Sequence, residues 1–198
     1  VKNETLLRNL LQKMPPYCKQ FFIGIEPTTS SRTRIAYAYD LNCFFDYLHE
    51  NNPLCTKKDI TEIPLSVLGN LAPMDIEEYL SYLKYYEKDG VEHTNDERGL
   101  KRKLASLRSF YRYLYKNEMI GQDPAVKVDM PKIHEKTITR LDIDEVANLL
   151  DEVESGESLT EKQQKFHEKT KTRDLAMMTL LLGTGIRVSE CVGLDMDD

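Results

Sequence analysis

Cysteine and long apolar runs are both scarce in this 198-residue sequence. The four cysteines, Cys18, Cys43, Cys55 and Cys191, are scattered, with no CxxC pair and no histidine at zinc-ligand spacing. That excludes a zinc ribbon and a disulfide framework, and points to reduced thiols in a cytoplasmic protein with no metal or other cofactor. The longest apolar stretch, Leu175 to Leu182, is far too short to cross a bilayer, so no membrane partner is expected. Val1 to Leu11 mixes charge with leucine and has no continuous apolar run of the signal-peptide kind. Internal repeats are also absent. What remains is ordinary globular material, 40% hydrophobic and 30% charged, sufficient for one sizeable core or two small ones.

Charge is unevenly placed. The chain as a whole carries −6, but Arg98 to Lys116 holds seven basic residues and no acidic one, so everything outside that stretch sums to −13. A local basic surface on an otherwise acidic protein follows.

Periodicity predicts helices almost throughout. Short apolar-periodic stretches flank Pro15-Pro16, and the Thr28 to Ser31 run can cap a long helix over about 32–49. Asp75-Ile-Glu-Glu78 after Pro73 predicts a helix to about Lys88, closed by Asp89-Gly90 and followed by a polar loop. The basic helix spans about 95–117. Proline then returns at Pro124 and Pro131, predicting an extended linker. Beyond it, Asp142-Ile-Asp-Glu145 opens a helix over 146–153, an acidic loop runs from Asp151 to about Lys169 as a solvated insertion, and an apolar helix covers 174–182. The domains are therefore expected at 1–120 and 139–198, with a linker over 121–138.

On the basic helix, at about 100° per residue, Leu100, Leu104, Leu107, Tyr111 and Leu114 share one face. Lys101, Arg108, Arg112 and Lys116 share a neighbouring face about 80° wide. Such a helix can pack with one side and offer a cationic ridge with the other, the arrangement a phosphate backbone needs. Taken alone, the same face could also be a solvated surface. The second feature is Gly183-Thr-Gly-Ile-Arg187: an apolar helix, a glycine reversal, and an arginine held between Ile186 and Val188 that can present a planar fork of donors to a phosphate. Alone, that arginine could equally be a surface ion-pair partner.

Together these motifs resemble one family. Thr184-Gly-Ile-Arg-Val-Ser-Glu190 with Gly193-Leu194 resembles the first active-site box of the tyrosine recombinases (phage integrases), the Xer-type subgroup in particular. Asp197 or Asp198 extends the match. Arg102 to Leu114 resembles the family's last core-binding helix, and Tyr37, Asp40-Leu41 and Phe44 match the early helix that pairs with it. Asp123 to Val126 with Pro131-Lys132 resembles the interdomain linker, and Leu141 to Leu150 the first catalytic-domain helix.

The resemblance implies a mostly α fold: a helical, SAM-like core-binding domain followed by the truncated start of an α+β catalytic domain. It implies strand cleavage and rejoining on double-stranded DNA through a 3′-phosphotyrosine, without metal or nucleotide cofactor, by a homo- or hetero-tetramer on two sites. Because no metal neutralises the pentavalent phosphate, arginines must. Arg187 matches the first of these, with Glu190 in support. Arg34, Lys101, Arg102, Lys103, Arg108, Arg112 and Lys116 are the expected DNA contacts. The family's remaining catalytic groups fall beyond the position matching Asp198, and all eleven tyrosines precede Arg187. Residues 1–198 are therefore expected to bind DNA without cleaving it. Two alternatives stay open: a noncatalytic DNA-binding module, and a helical protein-interaction domain with an idle cationic face.

Overall fold

The computed structural model describes residues 2–88, 90–134, 137 and 139–195. It divides into two compact units, Val1–Glu135 and Lys136–Asp198.

The first unit is a helical bundle of α1 (Lys2–Leu11), α2 (Tyr17–Ile25), α3 (Ser31–Asn51), α4 (Leu65–Asn70), α5 (Pro73–Tyr82) and α6 (Glu97–Lys116). Local chemistry sets the helix starts. Ser30 accepts the Thr33 backbone N–H at 3.1 Å to begin α3, and Asp96 accepts that of Gly99 at 2.8 Å to begin α6. The core is aromatic. Phe21, Phe44, Phe45, Tyr79, Phe110 and Tyr111 are all fully buried, and Phe21 meets Phe110 edge-on with ring centroids 5.1 Å apart. Phe44 and Tyr79 meet in the same manner at 5.1 Å, which locks α3 against α5.

Three features of this unit depart from the sequence reading. The helix opened by Asp75 ends at Tyr82, and the next stretch is an antiparallel hairpin of β1 (Tyr85–Lys88) and β2 (Val91–Thr94), with Tyr85 opposite Thr94. Its β-favouring tyrosines, valine and threonine outweigh the helical spacing of the residues before them, and Gly90 at φ +75° supplies the turn. Asp89 lies outside the described residues. Second, α4 has no counterpart among the expected helices. Third, the stretch after α6 is packed on the bundle. Ala125–Lys127 forms a 3-10 turn, and Ala125 and Val128 are buried in the same core as the helices.

The second unit contains α7 (Ile143–Ser155), α8 (Glu161–Thr184) and the short α9 (Val188–Cys191). At α7 the capping is reciprocal: Asp142 accepts the Glu145 N–H at 2.8 Å while Glu145 accepts that of Asp142 at 2.9 Å. The solvated loop expected over 151–169 is instead a helical hairpin. Polar Glu, Lys and Gln are strong helix formers, so a polar stretch need not be a loop. Gly156 at φ +65° makes the reversal, and the His167 ring fills the space beside it, where an added Cβ would lie 2.8 Å from the ring. His167 Nε2 donates to the Val153 carbonyl at 2.8 Å, joining the two helices. Among the described residues of this unit no large apolar side chain is fully buried, and Ile143, Phe166, Val188 and Val192 are exposed. No described helix is long and apolar enough to cross a membrane.

Candidate nucleic-acid interface

α6 presents the cationic surface. Its inward face is anchored by buried Leu100, Leu104, Leu107, Phe110, Tyr111 and Leu114, with the Tyr111 hydroxyl donating to the Leu68 carbonyl at 3.2 Å. Opposite this face, Arg98, Lys101, Arg112 and Lys116 are exposed. At about 100° per residue they fall within about 60° of one another and span about 27 Å of helix. Among the described residues no carboxylate pairs with any of the four. Arg98 was not among the expected contacts, although its place on the same helical stripe could have identified it.

Other expected contacts are engaged inside the unit. Arg34 is 7% exposed, and its guanidinium pairs with Glu4 and Glu26, each at 2.9 Å, which fastens α1 and the turn after α2 to the start of α3. A side chain so enclosed presents little surface to a partner. Lys103 is 8% exposed and its Nζ lies 3.3 Å from Asp40, a carboxylate that is itself almost wholly buried. Lys103 therefore neutralises an interior charge and is not on the ridge. Arg102 also donates to Asp40, but half of its side chain remains exposed at the flank of the ridge.

Arg108 is also engaged inside the unit. Its Nε donates to the Ala125 carbonyl at 3.0 Å and its Nη2 to the carbonyl of Val128. Periodicity places Arg108 beside Lys101 and Arg112, but tertiary structure lays the chain after α6 across it. The same strap reaches the other end of the helix. There, the His134 backbone N–H donates to Glu97 at 2.6 Å, and its Nδ1 lies 2.5 Å from the second oxygen. The Glu97 carboxyl is held below its ordinary range, first by the backbone hydrogen bond and then by the side chain of His134. The strap therefore runs antiparallel to α6 along one flank, and α3 with Arg102 forms the other.

In the second unit, Gly185 at φ +68° caps α8 with its N–H on the Leu181 carbonyl at 2.9 Å. Arg187 follows as the N-cap of α9. Glu190 accepts from the Arg187 backbone N–H at 2.7 Å and from its Nη1 at 3.0 Å, so one carboxylate holds both the turn and the guanidinium. The Arg187 side chain is 81% exposed, leaving most of its donors open to an incoming anion. Among the described residues no cluster of three or more histidine, cysteine, aspartate or glutamate side chains could hold a metal ion.

Residues 19–118 match the model of the phage integrase N-terminal SAM-like domain. The sequence is similar to the tyrosine recombinase XerC of Caldanaerobacter subterraneus subsp. tengcongensis, at 30% identity over 94% of this chain and 50% of the relative. It is also similar to the tyrosine recombinases XerS of Lactococcus lactis subsp. cremoris and Streptococcus pneumoniae. These are 28% and 30% identical over the whole of this chain and 62% of each relative. The chain thus spans half to three fifths of these relatives' lengths. No solved structure matches it.

Proposed function

From the premise that this chain belongs to the phage integrase family, in its Xer-type tyrosine-recombinase branch, we propose that it serves a site-specific DNA recombinase working in the cytoplasm. Residues 1–120 act as the core-binding domain, 121–138 connect, and 139–198 belong to the catalytic domain. Duplex DNA is the partner, and a tetramer acts on two sites. In the reaction a tyrosine oxygen bonds to the scissile phosphorus as the 5′ oxygen leaves, giving a 3′-phosphotyrosine that strand exchange reverses.

The observation that carries this reading is the ridge of Arg98, Lys101, Arg112 and Lys116, without ion-pair partners among the described residues and mounted on a helix with a buried opposite face. Fixed cations with no internal partner gain by releasing condensed counterions from a duplex. Arg102 adds to them from the flank. In the second unit Arg187 supplies charge to the pentavalent phosphate, and Glu190 acts as its positioning residue. None of the eleven tyrosines corresponds to the nucleophile, all of them preceding Arg187, so residues 1–198 bind DNA without joining it.

Fluorescence anisotropy with duplex DNA across a salt series tests the binding. The chain is expected to bind tightly at low salt with a steep salt slope, and a Lys101/Arg112/Lys116→Glu variant to lose both. Equal affinity in the two proteins would refute the interface. A nicked duplex that traps covalent adducts should trap none with residues 1–198.

A further inference from the structure

The stretch whose sequence reads as a solvated acidic loop carries, once folded, a second cationic face. On α8, Lys162, Lys165, Lys169 and Arg173 follow at steps of three, four and four residues. They fall within about 80° of one another around the helix, over about 16 Å of its length. All four are exposed. The side of α8 that meets α7 is marked by His167 on the Val153 carbonyl, and it lies well over a third of a turn from the lysines, so the face points away from acidic α7. No carboxylate shares the stripe. Glu168 flanks it and is paired with Lys171 at 3.0 Å, while Asp174 holds Arg173 at 2.7 Å. Among the described residues Lys162, Lys165 and Lys169 have no ion-pair partner. Phe166 stands at the edge of the same face and is 66% exposed.

We propose that this face of α8 is a second DNA-backbone contact, separate from the α6 ridge and contributed by the second unit. The inference rests on the DNA-binding reading above. Lysines three and four residues apart repel one another slightly on a helix, and although Glu161 and Glu168 lie nearby, no ion pair engages these three among the described residues. Phosphates supply that pairing. The face is long enough for two to three phosphates of one strand, and an exposed ring beside cations can pack on sugar or an unstacked base. Contacts are to backbone only, so this face adds affinity without reading sequence.

The test uses the whole chain with Lys162, Lys165 and Lys169 all changed to Gln. Glutamine has nearly the helix propensity of lysine, and circular dichroism would verify that α8 remains. Anisotropy on duplex DNA should show weaker binding, on the order of tenfold at moderate salt. The logarithmic salt slope should be shallower by about two to three, at roughly 0.9 per phosphate contact. Acylation of the same lysines in the unaltered chain should be suppressed by added duplex. An unchanged slope and affinity in the triple variant, with the Lys101/Arg112/Lys116 variant still defective, would overturn this inference alone. Failure of the unaltered chain to bind duplex at low salt would overturn the DNA reading, and this inference with it.

Discussion

The Asp40 carboxylate of α3 accepts a hydrogen bond from Arg102 of α6 across 62 residues of sequence, and it does so from a position 1% exposed to solvent. Lys103 approaches the same carboxylate at 3.3 Å, so one interior anion ties together the two longest helices of the first unit. Removing it leaves Lys103 buried without a counter-charge. Asp40→Ala should therefore cost about 3 kcal/mol in denaturant unfolding, while Asp40→Asn, which keeps the shape and an acceptor, should cost less. Equal losses for the two would show that packing and not charge is at stake.

Arg108 gives the sharpest contrast with its neighbours on α6. Its fork is bound to the carbonyls of Ala125 and Val128, whereas Lys101 and Arg112 face solvent. Arg108→Ala should raise amide exchange over residues 125–128 and lower stability by about 1–3 kcal/mol. Arg108→Lys should not rescue it, because a single ammonium cannot reach both carbonyls in the same geometry. DNA affinity should fall less than in Lys101→Ala or Arg112→Ala.

Gly24 has the Tyr113 ring where a side chain would begin: a Cβ there would overlap Tyr113 Cε2. Gly24→Ala should cost about 1–3 kcal/mol by forcing α2 from α6 or turning the ring. In a chain already carrying Tyr113→Ser the same change should cost almost nothing. A penalty that persists in that background would place its origin elsewhere.

The Glu97–His134 contact has a defined pH signature. The folded-state pKa of Glu97 lies below its ordinary value, so the contact stabilises above the unfolded pKa and weakens as pH falls through the folded one. Carboxyl chemical shifts should show Glu97 titrating below a free glutamate, and His134→Ala should return it only partway because the backbone N–H remains. Amide exchange near His134 should rise in the same acid range.

Thiol reactivity should separate the cysteines. Cys18 and Cys55 are buried, and burial pushes both thiols up, at Cys55 against a smaller opposing effect of Lys58. At mildly alkaline pH a disulfide reagent should modify Cys43 and Cys191 first, with the other two following only on unfolding.

The sequence by itself determined the helical class, most helix starts and the existence of the cationic α6, because capping residues and periodic apolar faces act within a few residues of chain. It also placed Arg187 beside Glu190, a pair only three residues apart. The hairpin over 85–94 was legible in hindsight from Tyr85-Tyr86 and the Asp89-Gly90 pair. The length of α8 was likewise legible from helix-forming Glu, Lys and Gln, which polarity alone disguised. What only tertiary structure decided is which cations are available. On a helical wheel Arg34 falls in line with buried Ala38, Leu41 and Phe45, Lys103 falls in line with buried Phe110 and Leu114, and Arg108 looks like its ridge neighbours Lys101 and Arg112. Their partners Glu4, Asp40 and the carbonyls of 125 and 128 lie 30, 63 and 17–20 residues away, brought in by burial of the core. Periodicity fixes the direction in which a side chain leaves its helix; whether water, a carboxylate or another strand of backbone awaits it there is settled by packing.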